Sequence, residues 1–256
     1  MLFNRKAQVA LWVIIAIVIV AVILVIVLRP NIPFIPQLSS EINPNVYLKD
    51  CVEPKVKESM TLLSKQGGYS NPEGFIVYRD TKVKYLCYSA EYYERCIVQQ
   101  PMLKSHYEKE LSSSLTQTLN QCMANLKNEY EQKGYSVSSS EVSSTVSLIP
   151  KKVRIDFSAP MTVSKKDESS KTFRTFEVEI NSNIYDLLML STSIIQFEST
   201  YGDAETSLYY QYYPDLRINK DKLSDGTTVY TLTNVVSEES FTFASRSVAW
   251  PAGYGA

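Results

Sequence analysis

Residues Val9 to Leu28, VALWVIIAIVIVAVILVIVL, form an apolar run of twenty residues without a charge, a glycine or a proline. As an α-helix this run is about 30 Å long, which is the thickness of the hydrocarbon core of a bilayer. A helix satisfies its own backbone hydrogen bonds in lipid, where water cannot do so. The run therefore predicts a transmembrane helix between a short basic segment, residues 1–8, and a large C-terminal part.

The charges near the apolar run predict its orientation. Arg5 and Lys6 are the only charged residues before it, and the positive-inside rule places such residues on the cytoplasmic side. The C-terminal part is therefore expected outside the cell. The whole chain has 27 acidic and 26 basic residues and lacks a concentrated basic cluster, which argues against nucleic acid as a partner.

The junction before the apolar run carries a short motif, Lys6-Ala7-Gln8. It resembles the class III signal of archaeal type IV pilin-like proteins, in which a dedicated peptidase cuts before the apolar helix. The resemblance implies processing between Ala7 and Gln8, after which the helix would enter a filament core. The alternative is a plain signal anchor that stays in the bilayer. An ordinary secretory peptide fits less well, because its apolar region has only about 7 to 15 residues.

Residues 29–45 contain four prolines, which predicts a semi-stiff tether between the membrane and a folded domain. After this tether, apolar residues at helical spacing predict a helix over residues 46–66 that ends at Gly67-Gly68. Pro54 is expected in or near the first turn, so the regular helix is expected to begin around Cys51.

Four cysteines in an exported domain predict two disulfides. Cys87 and Cys96 flank SAEYYER and fit a bridge across a hairpin with an exposed tip. Cys122 lies on the apolar stripe of a long helix predicted over residues 104–133, so a bridge from Cys51 to Cys122 would join the two helices. Four cysteines allow three connectivities, and this one is favoured while the others stay open.

Beyond residue 135 the apolar period changes to two, which predicts an antiparallel meander. One further helix is predicted over residues 181–200, whereas Leu208–Tyr213, LYYQYY, is predicted as part of a strand with tyrosines on both faces. Residues 46–135 and 136–250 together predict an α+β ectodomain, with an antiparallel sheet and two to three helices, followed by a surface tail at 251–256.

Three features of this arrangement carry a second resemblance: QGGY after the first Cys-bearing helix, the second Cys-bearing helix, and FTFASRSVAWPAG near the end. Together they are similar to membrane-anchored surface proteins of small-genome archaea. The resemblance implies a single-pass topology and a surface location, and it implies no activity.

Tyrosines are the best candidates for a binding surface, because tyrosine offers a large contact area and loses little entropy on binding. Two lie at the tip of the predicted disulfide hairpin and four in the LYYQYY segment. The candidates are Tyr92, Tyr93, Tyr209, Tyr210, Tyr212 and Tyr213. The structural alternative is that one face packs on the core while the other forms cross-strand pairs. Outward tyrosines are predicted to contact a partner or a glycan.

Catalytic and metal-binding signals are weak. His106 is the only histidine, lacks a G-x-S-x-G motif beside it in the sequence, and is expected to face solvent. A carboxylate pair, as in glycoside hydrolysis, could come from four residues in or just after one predicted helix, but these are expected to be solvated charges. They are Asp186, Glu198, Asp203 and Glu205. Cysteines in disulfides leave too few ligands for zinc, and no cofactor is predicted.

The sequence thus favours a single-pass cell-membrane protein whose extracellular domain acts by binding other envelope proteins, a second copy of itself or another surface. Val9 to Leu28 would contact the lipid bilayer or, in the filament alternative, the filament core. The second hypothesis is a type IV pilin-like filament subunit, and a surface hydrolase ranks third.

Overall fold

The computed structural model describes residues 15–20, 42–140, 142–166 and 169–251. The chain divides into two units, residues 1–41 and 42–256, and residues 15–20 of the first unit are helical. The rest of the predicted transmembrane run, the Ala7-Gln8 junction and most of the tether lie outside the described residues. In the part of the chain that is described, no helix is both long and apolar enough to cross a bilayer.

The second unit is α+β, as the sequence predicts. Its helices are α1 (Pro44–Lys65), α2 (Leu103–Gln132), α3 (Ile184–Tyr201) and α4 (Ser207–Tyr212). Its strands are β1 (Phe75–Tyr78), β2 (Thr81–Tyr88), β3 (Ile97–Val98), β4 (Ser136–Ser139), β5 (Ser143–Ile149), β6 (Lys152–Ser164), β7 (Lys171–Asn181), β8 (Leu216–Lys222), β9 (Thr228–Asn234) and β10 (Ser240–Arg246).

Helix α1 begins seven residues before Cys51, so the predicted start is wrong. The Asn43 side chain accepts hydrogen bonds from the backbone N–H groups of Asn45 and Val46, and Pro44 occupies the first turn, where its missing N–H costs nothing. This cap starts the helix early and leaves Pro54 in the interior. The last two residues of the predicted tether therefore belong to α1.

Helices α1 and α2 pack antiparallel along their apolar stripes. Near one end Cys51 and Cys122 form a disulfide with a Cα–Cα distance of 6.0 Å, which confirms the favoured pairing. Near the other end the buried Tyr107 hydroxyl donates to the backbone oxygen of Met60 at 3.1 Å and lies 3.0 Å from the Ser64 hydroxyl. We call the Cys51–Cys122 bridge the helix disulfide.

One sheet has the order β1-β2-β10-β9-β8, and β3 pairs with β2. The β2–β10 pair is parallel and the other pairs are antiparallel, so this sheet is mixed and the purely antiparallel prediction is wrong for it. A parallel pair needs a long crossover, which the chain between β2 and β10 supplies. The disulfide between Cys87 in β2 and Cys96, which we call the loop disulfide, forms as predicted.

The second sheet is the predicted antiparallel meander of β5, β6 and β7. The long strand β6 lies at its centre, with β7 on one edge and both β4 and β5 along the other. The two sheets and the longer helices contribute to one buried apolar cluster. Helix α3 packs mainly on the central strand β10, and near the C-terminal end of α3 the backbone oxygen of Glu198 accepts a hydrogen bond from the Ser247 hydroxyl, just after β10.

Candidate functional site

The six candidate tyrosines fall into two groups. Tyr92 and Tyr93 lie in the segment closed by the loop disulfide, and both side chains are about half exposed. The Tyr93 N–H donates to the backbone oxygen of Ala249 at 2.9 Å, and its ring makes an edge contact with Trp250 at 5.5 Å between centroids. The Arg246 guanidinium lies 5.2 Å from the centre of the Tyr92 ring. The disulfide loop thus presents its tyrosines beside the C-terminal segment.

The other four tyrosines belong to helix α4 or follow it, so the predicted strand at Leu208–Tyr213 is wrong. Tertiary contacts explain the difference. The Tyr209 hydroxyl lies 2.7 Å from that of Ser193 in α3, and the Tyr210 hydroxyl donates to the backbone oxygen of Ile218 in β8 at 2.9 Å. These two hydroxyl contacts anchor α4, while the side chains of Tyr210, Tyr212 and Tyr213 remain exposed.

Two glycines, Gly202 and Gly226, pack closely against the segment from Ser247 to Trp250. Gly202, in the left-handed conformation after α3, lies against Val248, and a Cβ at position 202 would lie only 2.3 Å from the Val248 Cγ2. Gly226, in the turn between β8 and β9, meets Ala249 in the same way, with 2.5 Å between an added Cβ and the Ala249 Cβ. Both positions have positive φ, which glycine adopts without steric cost.

These contacts create a groove of about 530 Å³ that the sequence analysis did not predict. Two exposed aromatic side chains, Tyr201 and Trp250, line it together with a carboxylate, an ammonium group and several hydroxyls. We call this feature the aromatic groove. Its polar side chains are those of Asp203, Lys222, Ser224, Thr227, Thr228 and Ser247.

Glu198, whose backbone oxygen accepts a hydrogen bond from the groove residue Ser247, is only 1% exposed, so its predicted place among solvated charges is wrong. Its carboxylate accepts hydrogen bonds from the Tyr230 hydroxyl at 2.5 Å, the Ser245 hydroxyl at 2.8 Å and the Ala204 N–H at 2.9 Å. Burial raises the pKa of Glu198, and the nearby Asp203 charge adds to this, although the three hydrogen bonds act in the opposite direction. Glu198 therefore joins α3 to β9 and β10.

The other carboxylates near the end of α3 also have defined partners. Asp203 pairs with Lys220 at 2.5 Å and with Lys222 at 3.3 Å. Glu205 accepts the Ser207 N–H at 3.0 Å, and this bond lowers the pKa of Glu205. Each group has a role in local structure, and only Asp203 lines the aromatic groove.

The chain matches no known protein-family model, no characterised protein and no solved structure with which it was compared. The site must therefore be interpreted from its own geometry.

His106 is half-buried, so the prediction that it faces solvent is wrong. Its ring contacts that of Tyr69 at 4.0 Å between centroids, with a tilt of 38° between the ring planes, and burial lowers the pKa of His106. Its Nε2 atom is buried without a hydrogen-bond partner among the described residues. Within those residues, no group of three or more His, Cys, Asp or Glu side chains forms a potential metal site.

A larger cleft of about 910 Å³ lies between α1 and the start of α3. Four lysines and two glutamates line it, and several of these charged groups already have a partner within the protein. Lys57 pairs with Glu53, Lys152 pairs with Glu179, and Glu239 accepts the Asn183 N–H. None of the described residues that line this cleft is aromatic, in contrast to the aromatic groove.

Proposed function

We propose that this chain is a membrane-anchored protein of the cell exterior that binds a ligand through the aromatic groove and the adjacent disulfide loop. The apolar run Val9 to Leu28 supports the anchor, because its length suits a bilayer. The two disulfides support an oxidising compartment, since such bonds are rare in the cytosol of most organisms.

One observation carries the binding half of the proposal. Two exposed aromatic side chains from separate segments, Tyr201 and Trp250, line one concave surface, and the exposed ring of Tyr93 contacts that of Trp250. Tyr92 lies beside Tyr93 in the disulfide loop. Exposed aromatic side chains gathered at a pocket are typical of recognition sites, because rigid rings bury a large area at a small entropic cost.

Topology is tested on intact cells that carry the full-length chain. Protease added outside should digest the C-terminal domain, and maleimide labelling of the denatured protein should find four thiols after reduction and none before it. Protection of the domain in intact cells, together with four reduced thiols, would contradict the proposed location.

Binding is tested by adding the purified full-length protein, in detergent micelles, to envelopes from cells that lack it. We expect saturable binding that falls at least tenfold when Tyr93 and Trp250 are both replaced by alanine. Tyr212→Ala is the matched control, because Tyr212 is 77% exposed and does not line the groove. Equal loss in the control, or no binding by the unmodified protein, would contradict the proposal.

The Lys6-Ala7-Gln8 junction supports a second candidate, a type IV pilin-like filament subunit. In that case Val9 to Leu28 would pack with copies of itself in a filament core. Intact-mass measurement of the native protein separates the two candidates, because cleavage between Ala7 and Gln8 removes seven residues. Detection of Met1 in the mature protein would reject the filament candidate.

A further inference from the structure

We infer that the aromatic groove binds a neutral oligosaccharide, an inference that rests on the proposed binding function and names its ligand class. The volume of about 530 Å³ is within the range of small-ligand pockets, roughly 300–1,000 Å³, and suits a few sugar rings. The groove is also concave, which favours a compact ligand over the broad contact of a typical protein interface.

The two aromatic side chains of the groove are supported from one side and open on another. Trp250 is 50% exposed and its ring meets that of Tyr93, while Tyr201 is 72% exposed and its ring lies 5.6 Å from that of Phe197. Neighbouring rings therefore restrict these two platforms before any ligand arrives. The C–H faces of a pyranose ring are apolar and pack on such ring surfaces.

The polar groups of the groove match the hydroxyl groups of a sugar. A hydroxyl both donates and accepts, so it is satisfied best where donors and acceptors lie close together. Asp203 supplies carboxylate oxygens, which are held by Lys220 at 2.5 Å and contact Lys222 at 3.3 Å, and Lys222 supplies ammonium N–H groups. The hydroxyl groups of Ser224 and Thr228 add adaptable partners.

The charge of the groove favours a neutral ligand over an anionic one. Among the described residues, its lining contains one carboxylate, Asp203, and one ammonium group, Lys222, so this lining has no net charge. The ammonium group of Lys220, outside the lining, also pairs with Asp203 at 2.5 Å. Phosphate-rich ligands are bound by clusters of Lys and Arg with a net positive field, which this lining lacks. A polypeptide partner is the competing ligand class, and the experiment below distinguishes it.

Envelopes from cells lacking this protein are divided into three samples: untreated, oxidised with periodate, and digested with proteinase. Periodate cleaves the C–C bond of vicinal diols and so destroys sugar rings while leaving the polypeptide backbone intact. We expect the full-length protein in micelles to bind untreated envelopes and to lose at least 90% of that binding after periodate. Binding that survives periodate overturns the inference, whether or not proteinase abolishes it.

This design separates the two failures. Loss of binding only after proteinase identifies a protein partner, so the sugar inference fails while the binding function stands. Absence of binding to untreated envelopes contradicts both the sugar inference and the proposed binding function. Loss after both treatments indicates a glycan carried on protein and supports the inference.

Two variants test whether the groove itself is used. We expect Trp250→Ala to weaken binding to untreated envelopes at least tenfold, and Asp203→Asn to weaken it severalfold through loss of a fixed acceptor. Tyr212→Ala should bind as the unmodified chain does. Thermal unfolding and a free-thiol count confirm that each variant is folded. Unchanged binding in both folded groove variants would overturn the assignment to this site.

Discussion

Two substitutions of Glu198 should distinguish what its hydrogen bonds contribute to stability from what its charge contributes. Glu198→Ala leaves the buried hydroxyls of Tyr230 and Ser245 and the Ala204 N–H without their acceptor. A buried group left unsatisfied costs about 1–3 kcal/mol, so the free energy of unfolding should fall by about 3 kcal/mol or more. Glu198→Gln keeps an acceptor oxygen for Tyr230 and Ala204, and Ser245 can accept from the new amide. That variant should lie within about 1 kcal/mol of the unmodified protein near pH 7.

Because glutamine does not ionise, the free energy of unfolding should depend on pH differently in the unmodified protein and in Glu198→Gln. Because burial raises the pKa of Glu198 in the folded state, the unfolded chain loses this proton first as pH rises above 4.5. The folded state then binds more protons than the unfolded state, so the free energy of unfolding falls with rising pH until the folded pKa is passed. Glu198 alone contributes at most about 1.4 kcal/mol per pH unit to the slope of the free energy of unfolding against pH. Glu198→Gln should lack this contribution.

The assay is urea unfolding of the full-length protein in micelles between pH 5 and pH 8, followed by tryptophan fluorescence. Subtracting the two curves removes the contribution of His106, which is the same in both proteins. Glu205→Gln is the matched control, because the pKa of Glu205 is lowered on folding, so its stabilising contribution is fully present once the pH is well above 4.5. The reasoning is refuted if Glu198→Gln keeps the unmodified slope, or if Glu198→Ala is as stable as Glu198→Gln.

Three further predictions concern stability and groove shape. The helix disulfide closes a loop of 71 residues and the loop disulfide one of nine. Replacing both cysteines of the helix disulfide by alanine should lower the free energy of unfolding in urea by about 4.4 kcal/mol, and the same change in the loop disulfide by about 2.6 kcal/mol. A larger loss for the loop disulfide would contradict the chain-entropy argument. Tyr107→Phe should cost about 1–2 kcal/mol, because the carbonyl of Met60 and the hydroxyl of Ser64 lose their buried partner. Gly202→Ala should displace Val248, lower stability and weaken envelope binding, whereas normal binding by the stable variant would show that the close approach does not shape the groove.

The elements with a local apolar repeat were predicted well from sequence. Helices α2 and α3 lie within a few residues of their predicted bounds, because their apolar stripes record which face is buried. The same stripe contained Cys122, which is why the favoured disulfide pairing was correct. The strand predicted at LYYQYY failed because hydroxyl contacts of Tyr209 and Tyr210 with α3 and β8, absent from any local pattern, override the strand preference of tyrosine.

The candidate site was predicted only in part. Tyr92 and Tyr93 lie in the disulfide loop as expected, but Trp250 and Tyr201 become neighbours of the groove only through tertiary packing. One signal in the sequence was available for Glu198. It follows Ile194 and Ile195 by four and three residues, which places it on the buried face of α3.

Hydrogen bonds join one side of the groove, the segment from Ser247 to Trp250, to the buried core. The Ser247 hydroxyl donates to the backbone oxygen of Glu198 at 2.8 Å and accepts the N–H of Cys96 at 3.1 Å, so one side chain ties the C-terminal segment to both α3 and the loop disulfide. Val248 continues this connection, since its N–H donates to the Glu94 oxygen at 2.8 Å. In the proposed complex, a ligand that packs on Trp250 meets a surface already ordered by covalent and buried contacts, so little of its binding free energy would be lost in ordering the protein.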